Sequence, residues 1–294
     1  MTDTRSAAGD LLAADTGMDA VSLRVGDLAV MSSYYREALG LEVVGEDAGS
    51  VVLGRGLTPL VALEHAPGLP VAARSQAGLF HTALLFDTPA ALAATVYRAA
   101  RDQRSAFVGS ADHLVSEAFY FTDPEGNGIE LYVDRDRSEW SYRNGSVEMA
   151  TLALDATDYL LRNLPANGES ELHDAATVGH VHLQVGDISL ASAFYVDALG
   201  FETTLEVPGA LFVSAGGYHH HMAMNVWNSR GAGPRAASLG LAEVAITVPE
   251  RADLDAVSER LRHRFIPVQD DGSSLRVDDP WGTRVTLSVG GTSL

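Results

Sequence analysis

The sequence predicts an α+β chain of four βαβββ modules, and three observations carry that prediction. First, Val21-Ser-Leu-Arg-Val-Gly-Asp27 leads into Tyr34-Tyr-Arg-Glu-Ala-Leu-Gly-Leu41. The pattern returns 160 positions on as His180-Val-His-Leu-Gln-Val-Gly-Asp187, leading into Phe194-Tyr-Val-Asp-Ala-Leu-Gly-Phe201. Second, Thr122-Asp-Pro-Glu-Gly-Asn-Gly-Ile-Glu-Leu-Tyr132 returns as Val277-Asp-Asp-Pro-Trp-Gly-Thr-Arg-Val-Thr-Leu287, with Pro124 and Pro280 156 positions apart. Third, each Pro/Gly turn is preceded by an apolar strand and a helical segment: 81–86 then 89–101, and 243–248 then 253–262. Self-similarity at a near-constant offset marks repeated supersecondary units.

Each element follows from local chemistry. Alternating apolar residues from Val21 and from His180 make half-buried strands. Asp27 and Asp187 are placed to cap the helices that follow. The Tyr34-Tyr35 and Phe194-Tyr195 pairs, with the later Ala-Leu, give those helices an apolar face. Gly40 and Gly200 end them by supplying the positive φ of a residue just past a helix. The Pro/Gly turns join strands as hairpins. The modules run over 18–67, 78–135, 178–229 and 239–290. A connection, 136–177, holds a helical candidate at 155–164 and a Pro165-Ala-Asn-Gly168 loop. Residues 1–17 read as a loose, disordered tail.

Composition narrows the chemistry. Of 294 residues, 46% are apolar, enough for a large core, and the net charge of −19 is spread along the chain. That charge opposes a nucleic-acid or anionic-membrane partner, because both are polyanions. With no cysteine, thiolate zinc sites, iron–sulfur clusters, disulfides and Cys nucleophiles are excluded, so any metal must sit on His and carboxylates. No run approaches the roughly 18 apolar residues of a membrane span. The first residues lack the basic and apolar regions of a signal peptide. A cytoplasmic location is expected.

The four modules, with the runs Asp112-His-Leu-Val-Ser-Glu-Ala-Phe-Tyr120, Asp123-Pro-Glu-Gly-Asn-Gly-Ile-Glu130 and Gly216-Gly-Tyr-His-His-His221, resemble the vicinal-oxygen-chelate superfamily. That group includes glyoxalase I, bleomycin-resistance proteins and extradiol dioxygenases. The likeness is strongest to catechol 2,3-dioxygenase-like members and spans 18–290. It implies two half-open mixed β-barrels with helices outside, divided in sequence as 18–135 and 178–294 around the 136–177 linker.

It also implies where a metal sits. Ligands in this superfamily come from first and last strands of modules. The first-strand position holds Ala20, His81, His180 and Glu243 in turn; the last-strand position holds Glu130 in module two and Thr286 in module four. His81, His180 and Glu130 then form a 2-His-1-carboxylate triad, which leaves about three metal positions open for substrate and dioxygen. Fe(II) is the expected metal and Mn(II) the alternative. The triad requires modules two and three to share a barrel, or a subunit interface to unite them.

By the same resemblance, His220 is the acid–base residue and Tyr120 the active-site tyrosine, ten positions before Glu130; His113 is the second active-site histidine. On an alternating strand, His219 and His221 would face one side and His220 the other. His182 shares the face of His180, and Tyr218, Asn225 and Trp227 flank the His run. Glu64 and His65 end a strand of module one as a weaker, vestigial candidate.

The expected activity is extradiol cleavage of a catechol-type aromatic diol by dioxygen. One alternative is a glyoxalase-like isomerase, opposed by the lack of a carboxylate in 219–227. The other is a non-catalytic, resistance-type binding protein. Neither nucleic acid nor membrane is an expected partner, and homo-oligomerisation is expected from the family.

Overall fold

The computed structural model describes residues 11–143, 145–165 and 175–290. Module one comprises β1 (Gly17–Val25), α1 (Leu28–Leu39), β2 (Glu42–Asp47), β3 (Ser50–Arg55) and β4 (Thr58–His65). Module two comprises β5 (Gly78–Phe86), α2 (Pro89–Arg101), β6 (Ala106–Asp112), β7 (Ser116–Thr122) and β8 (Gly128–Asp134). The connection carries β9 (Tyr142–Arg143), β10 (Ser146–Val147), β11 (Leu152–Ala153) and α3 (Ala156–Asn163). Module three comprises β12 (Ala176–Gln184), α4 (Ile188–Tyr195), β13 (Glu202–Val207), β14 (Ala210–Ser214) and β15 (Met222–Asn225). Module four comprises β16 (Gly240–Val248), α5 (Arg251–His263), β17 (Gln269–Asp270), β18 (Ser274–Asp278) and β19 (Arg284–Val289).

The helix signals act as read except at the end of α4, which stops at Tyr195 with Val196 as its cap rather than at Gly200. The Asp27 carboxylate accepts from Val30 N at 3.0 Å, and Asp187 accepts from Leu190 N at 2.9 Å. Each satisfies one of the amides that a helix start leaves without a partner. Gly40 closes α1 at φ 69°. Tyr34, Tyr35, Phe194 and Tyr195 are buried beneath their helices, as core residues. Helix α3 starts on Asp155, which accepts from Thr157 N and Asp158 N. The Pro165–Gly168 loop falls largely outside the described residues.

The chain forms two mixed, unclosed sheets with helices packed outside. One has the order β11-β6-β7-β8-β5-β12-β15-β14-β13 and the other β17-β18-β19-β16-β1-β4-β3-β2. Modules two and three meet where β5 pairs antiparallel with β12; modules one and four meet where β1 pairs antiparallel with β16. Within each module the first and last strands run parallel. The sheets therefore cut across the sequence halves 18–135 and 178–294, each taking one module from either side of the linker.

The main apolar core runs through both sheets, with smaller clusters around Trp140 and around Ala83. Part of the expected tail belongs to the fold. Leu12 is buried and its amide donates to Gly200 O at 2.8 Å, while residues 1–10 lie outside the described residues. Among the described residues no helix is long and apolar enough to cross a membrane.

Candidate metal centre

Strand register assembles the site. Ala83 on β5 lies opposite His180 of β12 on one side and level with Glu130 of β8 on the other. His81, two residues before Ala83, shares its face because side chains alternate along a strand. Three candidate ligands thus surround one methyl side chain. Tyr120 on β7 is the register partner of Glu130, and Ala118 that of Tyr132. Ala83, Ala118 and Tyr132 pack together as the floor.

The three candidate ligands are nearly sealed, at 6% exposure for His81, 3% for Glu130 and 2% for His180. Glu130 Oε2 stands 2.9 Å from His81 Nε2 and 3.2 Å from His180 Nε2. Adjacent donors at about 2.1 Å from a divalent metal stand roughly 3 Å apart when they subtend a right angle. The two measured edges match that spacing. Despite its proximity to the carboxylate, His81 Nε2 makes no well-aligned hydrogen bond. A buried polar nitrogen so placed is costly unless it has another partner. One carboxylate oxygen and two imidazole Nε2 atoms converging on one point fit a divalent metal.

The electrostatics agree. Burial alone would raise the Glu130 carboxyl, but His180 and His81 outweigh it and hold the group well below the usual carboxylate range. Burial pulls His180 down to about 4, against the opposing pull of Glu130. At neutral pH the imidazole is uncharged, as metal ligation requires.

The other residues expected around the metal have definite places. His113 Nδ1 donates to Ala150 O at 2.7 Å, because a carbonyl only accepts. His113 Nε2 is left to accept from the Tyr120 hydroxyl, also at 2.7 Å. The Tyr120 ring lies 5.6 Å from that of His81, and burial beside Glu130 pushes its phenol well up. The His220 ring lies 4.1 Å from that of His180. His182 faces His81 across the β5–β12 pair, and its Nε2 accepts from the Asn225 amide at 3.0 Å. Trp227 is 56% exposed and packs edge-on against Phe80, at the rim rather than in the core.

One expectation changes, and the weaker candidate of module one falls away. His219, His220 and His221 do not alternate along a strand. They occupy the bend before β15, reached through Gly216 and Gly217 at φ 61° and 68°. His219 and His220 consequently touch through their Nδ1 atoms at 2.8 Å, while His221 Nδ1 accepts from Ala215 N. Glu64 lies away from the cluster, in the other sheet, 3.8 Å from Arg24.

Sequence reasoning passed over three contributors. Asp134 accepts from His219 Nε2 at 2.9 Å. It stands four residues beyond Glu130 on the same strand face, so period-two counting was the available signal. Trp140 and Ala150 belong to the supposed linker. The Trp140 ring packs 5.5 Å from that of His219, and the Ala150 carbonyl anchors His113. No periodic pattern marks either residue.

Comparison with known proteins agrees with this architecture. The family profile described as Glyoxalase/Bleomycin resistance protein/Dioxygenase superfamily matches residues 17–131 and 177–287. The chain belongs to that superfamily and carries a 2-His-1-carboxylate cluster suited to a divalent transition metal. It is 36% identical over 272 residues to a catechol-2,3-dioxygenase of Bacillus subtilis (strain 168), covering 90% of this chain and 94% of the relative. Its fold resembles that of glyoxalase I from Zea mays, with a TM-score of 0.57 at 17% identity, covering 94% of this chain and 92% of that one.

Proposed function

We propose that the protein is an extradiol dioxygenase that opens the ring of a catechol-type diol at a site shared by modules two and three. The observation that carries this reading is the convergence of His81, His180 and Glu130 on one point, with His220 and the Tyr120–His113 pair beside it. The relative of matching length named as a catechol-2,3-dioxygenase supports it.

His81, His180 and Glu130 would hold Fe(II), which supplies Lewis acidity toward the diol oxygens and one-electron chemistry toward dioxygen. His220 accepts a diol proton and returns it as the ring opens; such positioned acid–base groups contribute about 10²–10⁴-fold. Tyr120, its phenol kept protonated, donates that proton in a hydrogen bond to His113, so its hydroxyl oxygen is held in place to accept a hydrogen bond from a substrate hydroxyl. Ala83 and Ala118 keep the floor shallow, and Phe80, His182 and Trp227 form an aromatic wall. A glyoxalase-like isomerase would call for a second carboxylate from module three. Strand β15 offers none.

The test is oxygen uptake by protein loaded anaerobically with Fe(II), on catechol and simple alkyl catechols. A ring-fission product made with one dioxygen per diol, and lost in His81→Ala and His180→Ala, is expected. Stoichiometric iron that depends on both histidines, without uptake on any catechol, would overturn the dioxygenase reading while keeping the metal centre.

A further inference from the structure

We infer that Asp134 and His219 are positioning residues that fix His220 in one tautomer, with its Nδ1 donating and its Nε2 left open. This deepens the proposed function and rests on the reading of His220 as the acid–base group.

The geometry allows one assignment of protons among neutral rings. A carboxylate can only accept, so the 2.9 Å contact between His219 Nε2 and Asp134 Oδ1 places the His219 proton on Nε2. His219 Nδ1 is then an acceptor. The 2.8 Å contact between the two Nδ1 atoms is therefore filled by a proton carried on His220. His220 Nε2 is left with a free lone pair. An imidazole that must take a proton from substrate needs that nitrogen bare, and its other nitrogen held by an acceptor.

The surroundings make the arrangement stiff. The Tyr218 hydroxyl donates to Asp134 Oδ2 at 2.8 Å and itself lies 2.8 Å from the Tyr132 hydroxyl, so Asp134 is held through both oxygens. Trp140 and Tyr218 flank the His219 ring. The His220 ring lies between those of His180 and Phe212, at 4.1 and 5.2 Å. Glu130, Tyr132 and Asp134 alternate onto one face of β8, so the strand that supplies the candidate carboxylate ligand also supplies the anchor of this chain. A side chain locked by packing and by a second hydrogen bond is what a proton-transferring group requires.

The experiment compares wild type with His219→Phe, His219→Gln and Asp134→Asn. Gln at 219 can still accept from His220 through its oxygen and donate to Asp134 through its amide; Phe can do neither. Two readouts are taken. The first is ¹⁵N NMR of histidine-labelled, Zn(II)-loaded protein, which reports the His220 tautomer without catalysis. The second is steady-state oxygen uptake on catechol by the Fe(II)-loaded protein, with kcat and KM separated across pH.

Wild type is expected to show His220 protonated at Nδ1. His219→Phe and Asp134→Asn are expected to lose that single signature and lower kcat by about 10- to 100-fold, with KM changed by less than about threefold. His219→Gln is expected to restore most of both. A wild-type His220 protonated at Nε2 would overturn the inference, as would a His219→Phe protein with unchanged tautomer and kcat. Should His219→Phe fail to fold or to hold metal, Asp134→Asn decides by the same criteria. If wild type consumes no oxygen but shows the expected tautomer changes, the dioxygenase reading fails and the positioning chain stands.

Discussion

The Tyr35 hydroxyl donates to Asp123 Oδ2 at 3.0 Å, pinning the helix of module one to the Pro/Gly turn of module two. The same bond recurs between Tyr195 and Asp279 at 3.1 Å, pinning module three to module four. Each aspartate also gathers its own turn. Asp123 Oδ1 accepts from Glu125 N and Asn127 N, and Asp279 Oδ1 accepts from Trp281 N and Thr283 N. The internal repeat is thus conserved in its bonding as well as its backbone. Sheets join modules two to three and one to four; these tyrosines join one to two and three to four.

Tyr35→Phe leaves Asp123 buried with one donor fewer, and we expect it to cost about 1–3 kcal/mol in thermal or urea unfolding. The effect depends on pH. Burial raises Asp123 to about 6, against the pull of its hydrogen bonds, so the folded state binds its proton more tightly than the unfolded chain does. This group's contribution to stability therefore falls as pH rises from the ordinary carboxylate range through about 6. Loss of the Tyr35 donor raises Asp123 further and makes the fall steeper. Parallel melts of wild type and variant from pH 4 to pH 7 check it; curves that stay parallel would sink the argument.

Much of this was legible in the sequence because it rests on period and on local chemistry. Asp27, Asp187 and Gly40 punctuate the helices through backbone needs that neighbouring residues cannot override, whereas α4 stops at Tyr195, short of Gly200. Tyr195 and Phe194 follow from helical spacing. The pairing of β5 with β12 was legible only indirectly, through the demand that His81, His180 and Glu130 meet. Asp134, Trp140 and the Ala150 carbonyl escaped because they act through long-range packing that no window of sequence contains. The His219–His221 run misled because Gly216 and Gly217 bend the chain where its composition resembles a strand.

Gly179 adjoins His180 and lies against Tyr132. A Cβ there would stand 1.7 Å from the Tyr132 hydroxyl oxygen. Gly179→Ala must displace either the tyrosine or β12, shifting His180 relative to Glu130. We expect a loss of about 1–3 kcal/mol and substoichiometric metal, read by unfolding and by elemental analysis. Full metal content in a stable Gly179→Ala protein would refute the expected coupling between that contact and the site.

Ala83 sits among the three candidate ligands, and its small size is the room a metal needs. Ala83→Leu is expected to abolish metal uptake with only a modest change in melting temperature, since the added carbons fill space that the apolar floor already borders. Retained stoichiometric metal would place the ion elsewhere.

Chelation should lower the melting temperature of metal-loaded wild type. Saturation at about 100 times the dissociation constant adds roughly 2.7 kcal/mol. Glu130→Gln removes the carboxylate that both imidazoles face, so its melting temperature should no longer respond to added Fe(II) or to chelator. A response equal to that of wild type would exclude Glu130 as a ligand.

The β5–β12 pairing has a consequence for how the protein is made. On the ribosome, His81 and Glu130 emerge well before His180, and β1 waits for β16, whose paired residues lie more than two hundred positions downstream of it. The candidate metal centre cannot close before module three has arrived, and the sheet of modules one and four reaches its full width only with the fourth module. Such long-range pairing is slow to form. It also means that a divalent metal held by both histidines certifies a polypeptide translated past its midpoint.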